Sequence, residues 1–135
     1  MNKTLLLLLP LLALLAAGVA RANATAAWMA KTDPALLAAT AGGATADFLV
    51  VLDAQADLSG AARLSDKTDR GRAVYEALTS VATRTQAPLR ALLDARGATY
   101  RAYWVTNMLW VRGDRALVQT LAARPEVSNV YANTA

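Results

Sequence analysis

The sequence predicts an α+β fold, because four short strand patterns alternate with two helical patterns from residue 47 onward. The last third of the chain is typical of a strand, a tight turn, a second strand, a helix and a final strand, with almost no linker between them. Upstream, one apolar run precedes one long helical pattern. This order is the ferredoxin-like βαββαβ arrangement, an antiparallel four-stranded sheet that carries both helices on one face.

The first predicted strand is the continuous apolar run Phe48–Leu52, bounded by Asp47 and Asp53. A run of this kind is typical of a strand that is buried on both faces or central in its sheet. Residues 54–69 are polar, contain glycine and show no sustained period, so they are expected to form a loop.

The first long helix is predicted over Arg70–Arg96, with Gly97 as its C-terminal cap. Pro88 falls inside it and cannot bond to the carbonyl of Arg84, so a kink or a split is expected there. Its apolar positions recur every three or four residues: Val74, Leu78, Val81, Leu89 and Leu92.

The second helix and the last strand have clearer boundaries. Asp114 is placed to cap the helix, Arg124 and Pro125 close it, and Val127–Ala132 follows as a strand. The apolar face of this helix consists of Leu117, Val118, Leu121 and Ala122.

The N-terminal residues predict export. Met1–Ala22 has the pattern of a secretory signal peptide, with Lys3 before an apolar run and a small-residue cleavage site at its end. Residues 23–46 are expected to be a mobile leader, best interpreted as a linker, with one short helix that opens at Asp33 and Pro34. Residues 47–135 are expected to form the domain. The predicted location is secreted or extracytoplasmic, with no stable membrane anchor after cleavage.

Composition argues against several classes of function. Without the signal the chain holds 12 basic and 10 acidic residues, well interspersed, which is weak support for nucleic-acid binding. It has no Cys and no His, so neither a Ser-His-Asp triad nor a thiolate metal site can be built. We therefore expect no enzyme, no catalytic residue, no metal site and no cofactor.

The central hairpin predicts a docking surface. A two-residue turn at Thr106-Asn107 places Trp104 opposite Leu109 and Tyr103 opposite Trp110. Large aromatic and basic side chains on an open sheet face are typical of a protein interface. The predicted core face is Ala102, Trp104, Leu109 and Val111, and the predicted docking face is Arg101, Tyr103, Val105, Met108, Trp110 and Arg112.

Two alternatives stay open for this face. The leader or the loop at residues 54–69 could fold over it and bury it. A one-residue slip in the hairpin register would exchange the two faces, because side chains alternate along a strand.

Several of these motifs together resemble the propeptide inhibitor domain of subtilisin-type serine peptidases (subtilases). The resemblance covers roughly residues 31–133 and rests on an Asn-led strand, a helix that ends near a proline and a final V-x-x-V strand. The motifs are Tyr103, Asn107-Met108-Leu109-Trp110-Val111, Arg124-Pro125 and Val127-Ser128-Asn129-Val130, with Asp33-Pro34, Leu36-Leu37, Asp47–Leu52, Ala56-Asp57-Leu58-Ser59 and Gln86-Ala87-Pro88-Leu89 upstream.

The resemblance implies an intramolecular chaperone and temporary peptidase inhibitor. In the family the open face packs on the protease, and the C-terminal tail lies in the active-site cleft as an added strand. The implied partner is a subtilisin-like serine protease domain, in cis or in trans. The implied cleft-binding tail is Tyr131, Ala132, Asn133, Thr134 and Ala135.

The sequence departs from the family, since no peptidase domain follows in it. Either a longer precursor or a free inhibitor fits this. The competing interpretation is an exported interaction module without inhibitory activity. RNA recognition, acylphosphatase chemistry and metal transport share the fold order. This sequence lacks the motif that each of them requires: the basic Gly-aromatic motif for RNA recognition, the phosphate loop for acylphosphatase chemistry and the paired thiolates for metal transport.

Overall fold

A computed structural model describes residues 27–134 of the chain. The predicted signal peptide lies outside the described residues. The elements are α1 (Pro34–Ala39), a 3₁₀ turn (Ala41–Gly43), β1 (Ala46–Leu52), α2 (Ser59–Ala62), α3 (Lys67–Ala95), β2 (Thr99–Tyr103), β3 (Met108–Gly113), α4 (Arg115–Ala122) and β4 (Val127–Ala132).

The sheet confirms the predicted α+β class. Its four strands are antiparallel and lie in the order β2-β3-β1-β4, which is compatible with a ferredoxin-like fold. Alternate residues of β1 are buried in one core cluster, which Leu89 and Leu93 of α3 and Leu121 of α4 also enter. Helices α3 and α4 therefore cover the same face of the sheet, and β1 is a central strand as expected.

The second helix and the last strand follow the prediction. The Asp114 side chain accepts a hydrogen bond from the backbone N–H of Leu117 at 2.9 Å, so it caps α4. The four predicted apolar residues of α4 are all buried. Strand β4 has the predicted bounds.

The long helix differs from the prediction in its start and its continuity. It begins at Lys67 because Asp66 accepts hydrogen bonds from the N–H groups of Thr68 and Asp69. It then runs through Pro88 without splitting. Pro88 is exposed, so water can reach the carbonyl that loses its helical partner.

The expectation that residues 54–69 form only a loop is also wrong. Residues Ser59–Ala62 form the short helix α2, which packs against α3 and buries Ala61. The structure confirms Gly97 as the C-terminal cap of α3. Gly97 adopts φ +61° directly after the helix, and the N–H of Ala98 returns to the carbonyl of Leu93 at 3.0 Å.

The leader is part of the folded molecule from residue 27, so the interpretation as a mobile linker is wrong there. Trp28 and Leu36 are buried in the core cluster. The Lys31 ammonium donates to the carbonyls of Arg124 and Val127 at 3.1 and 2.9 Å. Apolar burial and backbone pairing together order a segment that composition alone marks as a linker.

The hairpin register differs from the prediction by two residues. Tyr103 lies opposite Met108 and Arg101 opposite Trp110, so the turn has four residues, 104–107. A shift of two keeps every strand side chain on its predicted face, because alternation has a period of two. Trp104 and Val105 are the exceptions: both lie in the turn and are exposed, so their predicted places on the core face and the docking face are wrong.

Candidate docking face

The face of the sheet opposite the helices is an apolar and aromatic surface. Leu49 and Val51 of β1 pair with Trp110 and Met108 of β3, and Leu49 also pairs with Tyr131 of β4. None of its residues is buried, so the face reaches solvent. We call it the open face; it consists of Asp47, Leu49, Val51, Thr99, Arg101, Tyr103, Met108, Trp110, Arg112, Asn129 and Tyr131.

The structure brings together five of the six side chains that the sequence predicts for the docking face; Val105, in the turn, is the exception. Tyr103, at the end of β2, and Met108 and Trp110, in the first half of β3, are half-buried. Arg101 and Arg112 are exposed and rim them. Among the described residues, neither the leader from residue 27 onward nor residues 54–69 covers this face, because that part of the leader packs into the core and α2 packs on α3.

Charge on the open face is more balanced than the sequence suggested. Arg112 Nη1 lies 3.5 Å from Asp47 Oδ1, across the β1–β3 pair. Both side chains are substantially exposed, so the pair contributes little to stability. Arg101 has no ion-pair partner among residues 27–134. The face therefore offers one unpaired guanidinium and one carboxylate already engaged by a neighbour.

The free tail is shorter than predicted. Tyr131 and Ala132 belong to β4, where they pair with Leu49 and Phe48, so they are not part of an extended tail. Asn133 leaves the sheet after its N–H donates to the carbonyl of Asp47 at 3.0 Å. Asn133 and Thr134 are both exposed, and Ala135 lies outside the described residues.

The tail and the open face meet in one cleft. Asn133 lines this cleft together with Arg101, Tyr103 and Trp110, and its volume is about 240 Å³. A partner that contacts the aromatic side chains of β2 and β3 therefore also meets the first residue beyond the sheet. The geometry joins two features that the sequence predicted separately.

A buried polar cluster holds the hairpin in position. Asn107 is 4% exposed, and its side-chain amide donates to the carbonyl of Ala54 at 2.7 Å and to Thr85 Oγ1 at 3.0 Å. Gln86 Nε2 donates to Asn107 Oδ1 at 3.0 Å and to the carbonyl of Tyr103 at 2.9 Å. These bonds tie the turn, the helix α3 and the end of β1 together.

Five residues of the open face were not predicted from the sequence as site residues: Asp47, Leu49, Val51, Thr99 and Asn129. Alternation along β1 is the signal that could have found the first three, because it places every second residue of that strand opposite Arg112, Trp110 or Met108.

Residues 27–134 contain no group of three metal-binding side chains. Within the same range no helix is both long enough and apolar enough to cross a membrane.

The pKa of Asp57, which is outside the open face, is lowered from its usual 3.8, mainly because the backbone N–H of Ser59 donates to the carboxylate.

Comparison with known proteins yields no matching family model, and neither a curated protein nor a solved structure matches the chain significantly.

Proposed function

We propose that the chain is a peptidase inhibitor and folding-assistant domain of the kind found in secreted subtilisin-like proteases. The observation that carries the proposal is the cleft in which Asn133 meets Arg101, Tyr103 and Trp110. A domain that docks by the open face presents its C-terminal tail to the same partner. The resemblance of the sequence motifs to subtilase propeptides supports the identity of that partner.

The position of Asn133 constrains how the inhibitor works. Asn133 leaves the sheet beside the cleft that it lines with Arg101, Tyr103 and Trp110, so a partner docked on the open face also contacts the start of the tail. On this proposal the active-site cleft of the protease therefore lies next to the docked face. Small side chains at Thr134 and Ala135 suit narrow subsites, while main-chain hydrogen bonds to the cleft edge supply affinity.

The open face provides a second contact with the protease, in addition to the tail. Trp110 and Tyr103 present large apolar areas with few rotatable bonds, and such residues dominate binding energy at protein interfaces. Helix surfaces of a protease would cover them. On this proposal the domain has no catalytic chemistry of its own and needs no cofactor.

Inhibition of a purified subtilisin-type peptidase tests the proposal. The expected result is that the mature chain inhibits hydrolysis of a peptide substrate, and that deletion of Asn133–Ala135 weakens inhibition at least about tenfold, or ~1.4 kcal/mol. Trp110→Ala should weaken it by about 30-fold, since a central interface aromatic contributes about 2 kcal/mol or more. Arg84→Ala is the control, because Arg84 is exposed on α3, on the other side of the sheet.

Each variant must first retain the circular dichroism spectrum and unfolding midpoint of the parent. Equal inhibition by the full and shortened chains would contradict the tail's role. Binding without inhibition would favour the competing function, an exported interaction module that docks by the same face. Loss of binding in Trp110→Ala alone is expected under both functions, so the tail deletion is the experiment that separates them.

A further inference from the structure

The two edges of the sheet differ in how they are covered. At the β4 edge, Thr32 forms a parallel bridge with Val130, and the leader exchanges hydrogen bonds of 2.8 Å with that strand. At the opposite edge, β2 pairs with β3 alone, and within residues 27–134 no strand lies on its outer side. An uncovered edge strand has backbone N–H and C=O groups free to pair with another chain.

A groove runs between this edge and helix α3. Tyr75, Gln86 and Arg90 line it from the helix, and Ala102 and Trp104 line it from β2 and the turn, with a volume of about 290 Å³. From Tyr75 to Arg90 the helix advances roughly 22 Å, at 1.5 Å per residue. An extended peptide of about six or seven residues covers that distance.

The ends of the groove differ in chemistry. At one end Tyr75 and Trp104 meet edge to face, with ring centroids 5.2 Å apart, and both remain exposed. In the middle, both amide protons of Gln86 are committed to Tyr103 and Asn107, which leaves the amide oxygen as its remaining polar atom. At the other end lies the Arg90 guanidinium. Apolar, neutral polar and cationic environments thus follow one another along the groove.

Charge decides which chain fits this edge. Neither Arg90 nor Arg101 has an ion-pair partner among the described residues, and nearby Asp94 accepts a hydrogen bond from the Tyr100 hydroxyl. A second copy pairing antiparallel at the centre of β2 would place Arg101 beside Arg101, which like-charge repulsion disfavours. A strand that carries a carboxylate is complementary.

We propose that this groove binds an extended acidic peptide segment of another protein, which adds to β2 as a fifth, antiparallel strand. An aromatic or apolar side chain of the peptide packs on Tyr75 and Trp104, and a carboxylate two or more residues away pairs with Arg90. Main-chain hydrogen bonds to β2 provide binding that is largely independent of sequence, while the two side-chain positions provide specificity. The site is separate from the open face and does not depend on the proposed inhibitory function.

A defined peptide library tests this inference on the mature full chain. Its members are acetylated, amidated octapeptides with Phe, Tyr, Leu or Val at one position and Glu, Asp, Gln or Lys six residues further along, a spacing that covers the distance from Tyr75 to Arg90 with both side chains on one face. The expected result is that aromatic–acidic members bind with a Kd on the order of 100 µM or tighter. Their addition should shift the NMR signals of the Thr99–Tyr103 amides and the Trp104 indole. N-methylation of the peptide backbone should abolish binding, because it removes the donors that pair with β2.

Charge reversal supplies the matched comparison. Arg90→Glu should weaken acidic peptides about tenfold and strengthen the Lys peptides, whereas Arg84→Glu, on the far side of the same helix, should change either affinity less than about twofold. Inhibition of a peptidase should be unchanged in Arg90→Glu, so the two proposals fail independently. The inference is overturned if no member binds below about 1 mM, if N-methylated peptides bind equally well, or if the shifts map to the open face.

Discussion

At the scale of single residues, Asn107 connects the hairpin turn at the end of the open face to α3 and to the residues after β1. It adopts φ +45°, the left-handed conformation that Asn tolerates better than most residues, while its side chain is buried and fully bonded. Its neighbour Met108 and the paired Tyr103 both lie on the open face. The side chain of Asn107 therefore holds the turn that joins two residues of the open face.

Replacement of Asn107 by Ala is expected to lower the free energy of unfolding by about 2–4 kcal/mol. The change leaves the carbonyl of Ala54 and one amide N–H of Gln86 without their partner and adds left-handed strain. Asn107→Gly removes the same bonds without the strain, so it should recover roughly 1 kcal/mol of the loss. Urea unfolding measures both, with Asn133→Ala as the exposed control. An Asn107→Ala variant as stable as the parent would contradict this role.

The sequence could predict the turn conformation of Asn107 but not its partners. A left-handed Asn beside a hairpin is a local signal. Gln86 lies 21 residues away on a helix surface, and no spacing rule relates it to the turn. The hydrogen bond from Gln86 to the Tyr103 carbonyl favours the four-residue turn. The observed register therefore differs from the predicted one by two residues, a difference that leaves each strand side chain on its predicted face.

At the scale of elements, the ends of a helix or strand could be predicted where nearby residues set them, and could not where residues far away in the sequence set them. Helix α4 is capped by Asp114 within its own first turn and has a strong apolar face, so both ends could be predicted. Helix α3 starts earlier than its apolar pattern, since its buried residues begin only at Ala82 and Asp66 caps a polar first turn. The leader is ordered by contacts with β4, which is 98 positions away at the Thr32 bridge.

The proline inside α3 gives a prediction at this scale. Pro88→Ala should raise the free energy of unfolding by about 1–2 kcal/mol, because it restores the hydrogen bond to the Arg84 carbonyl and removes the ring clash. Loss of proline's restriction of the unfolded chain offsets part of the gain. Pro125→Ala, in the turn after α4, should instead lower stability by up to about 1 kcal/mol. An unchanged or lower free energy of unfolding in Pro88→Ala would show that Pro88 does not destabilise the helix.

At the scale of the whole molecule, the leader and the sheet form one core. Leu36 is fully buried in the core cluster that also contains Trp28 and residues of β1, α3, α4 and β4. The leader also covers the β4 edge, leaving β2 as the uncovered edge of the described sheet. Removal of the leader would therefore expose both a core surface and a second row of unpaired backbone groups.

Because the leader forms part of the core, we predict that a chain starting at Ala46 does not fold into a stable domain. Leu36→Ala should cost about 2–5 kcal/mol, as expected for a large cavity in a packed core, and Leu58→Ala, at an exposed position, less than about 1 kcal/mol. A chain that starts at Ala46 loses Trp28, Leu36 and the backbone pairing of Thr32 at once, a sum comparable with the whole stability of a small domain. It should therefore show no cooperative thermal transition, whereas a chain that starts at Asn23 should. A transition at the parent midpoint in the shortened chain would mean that the contacts of the leader contribute no net stability.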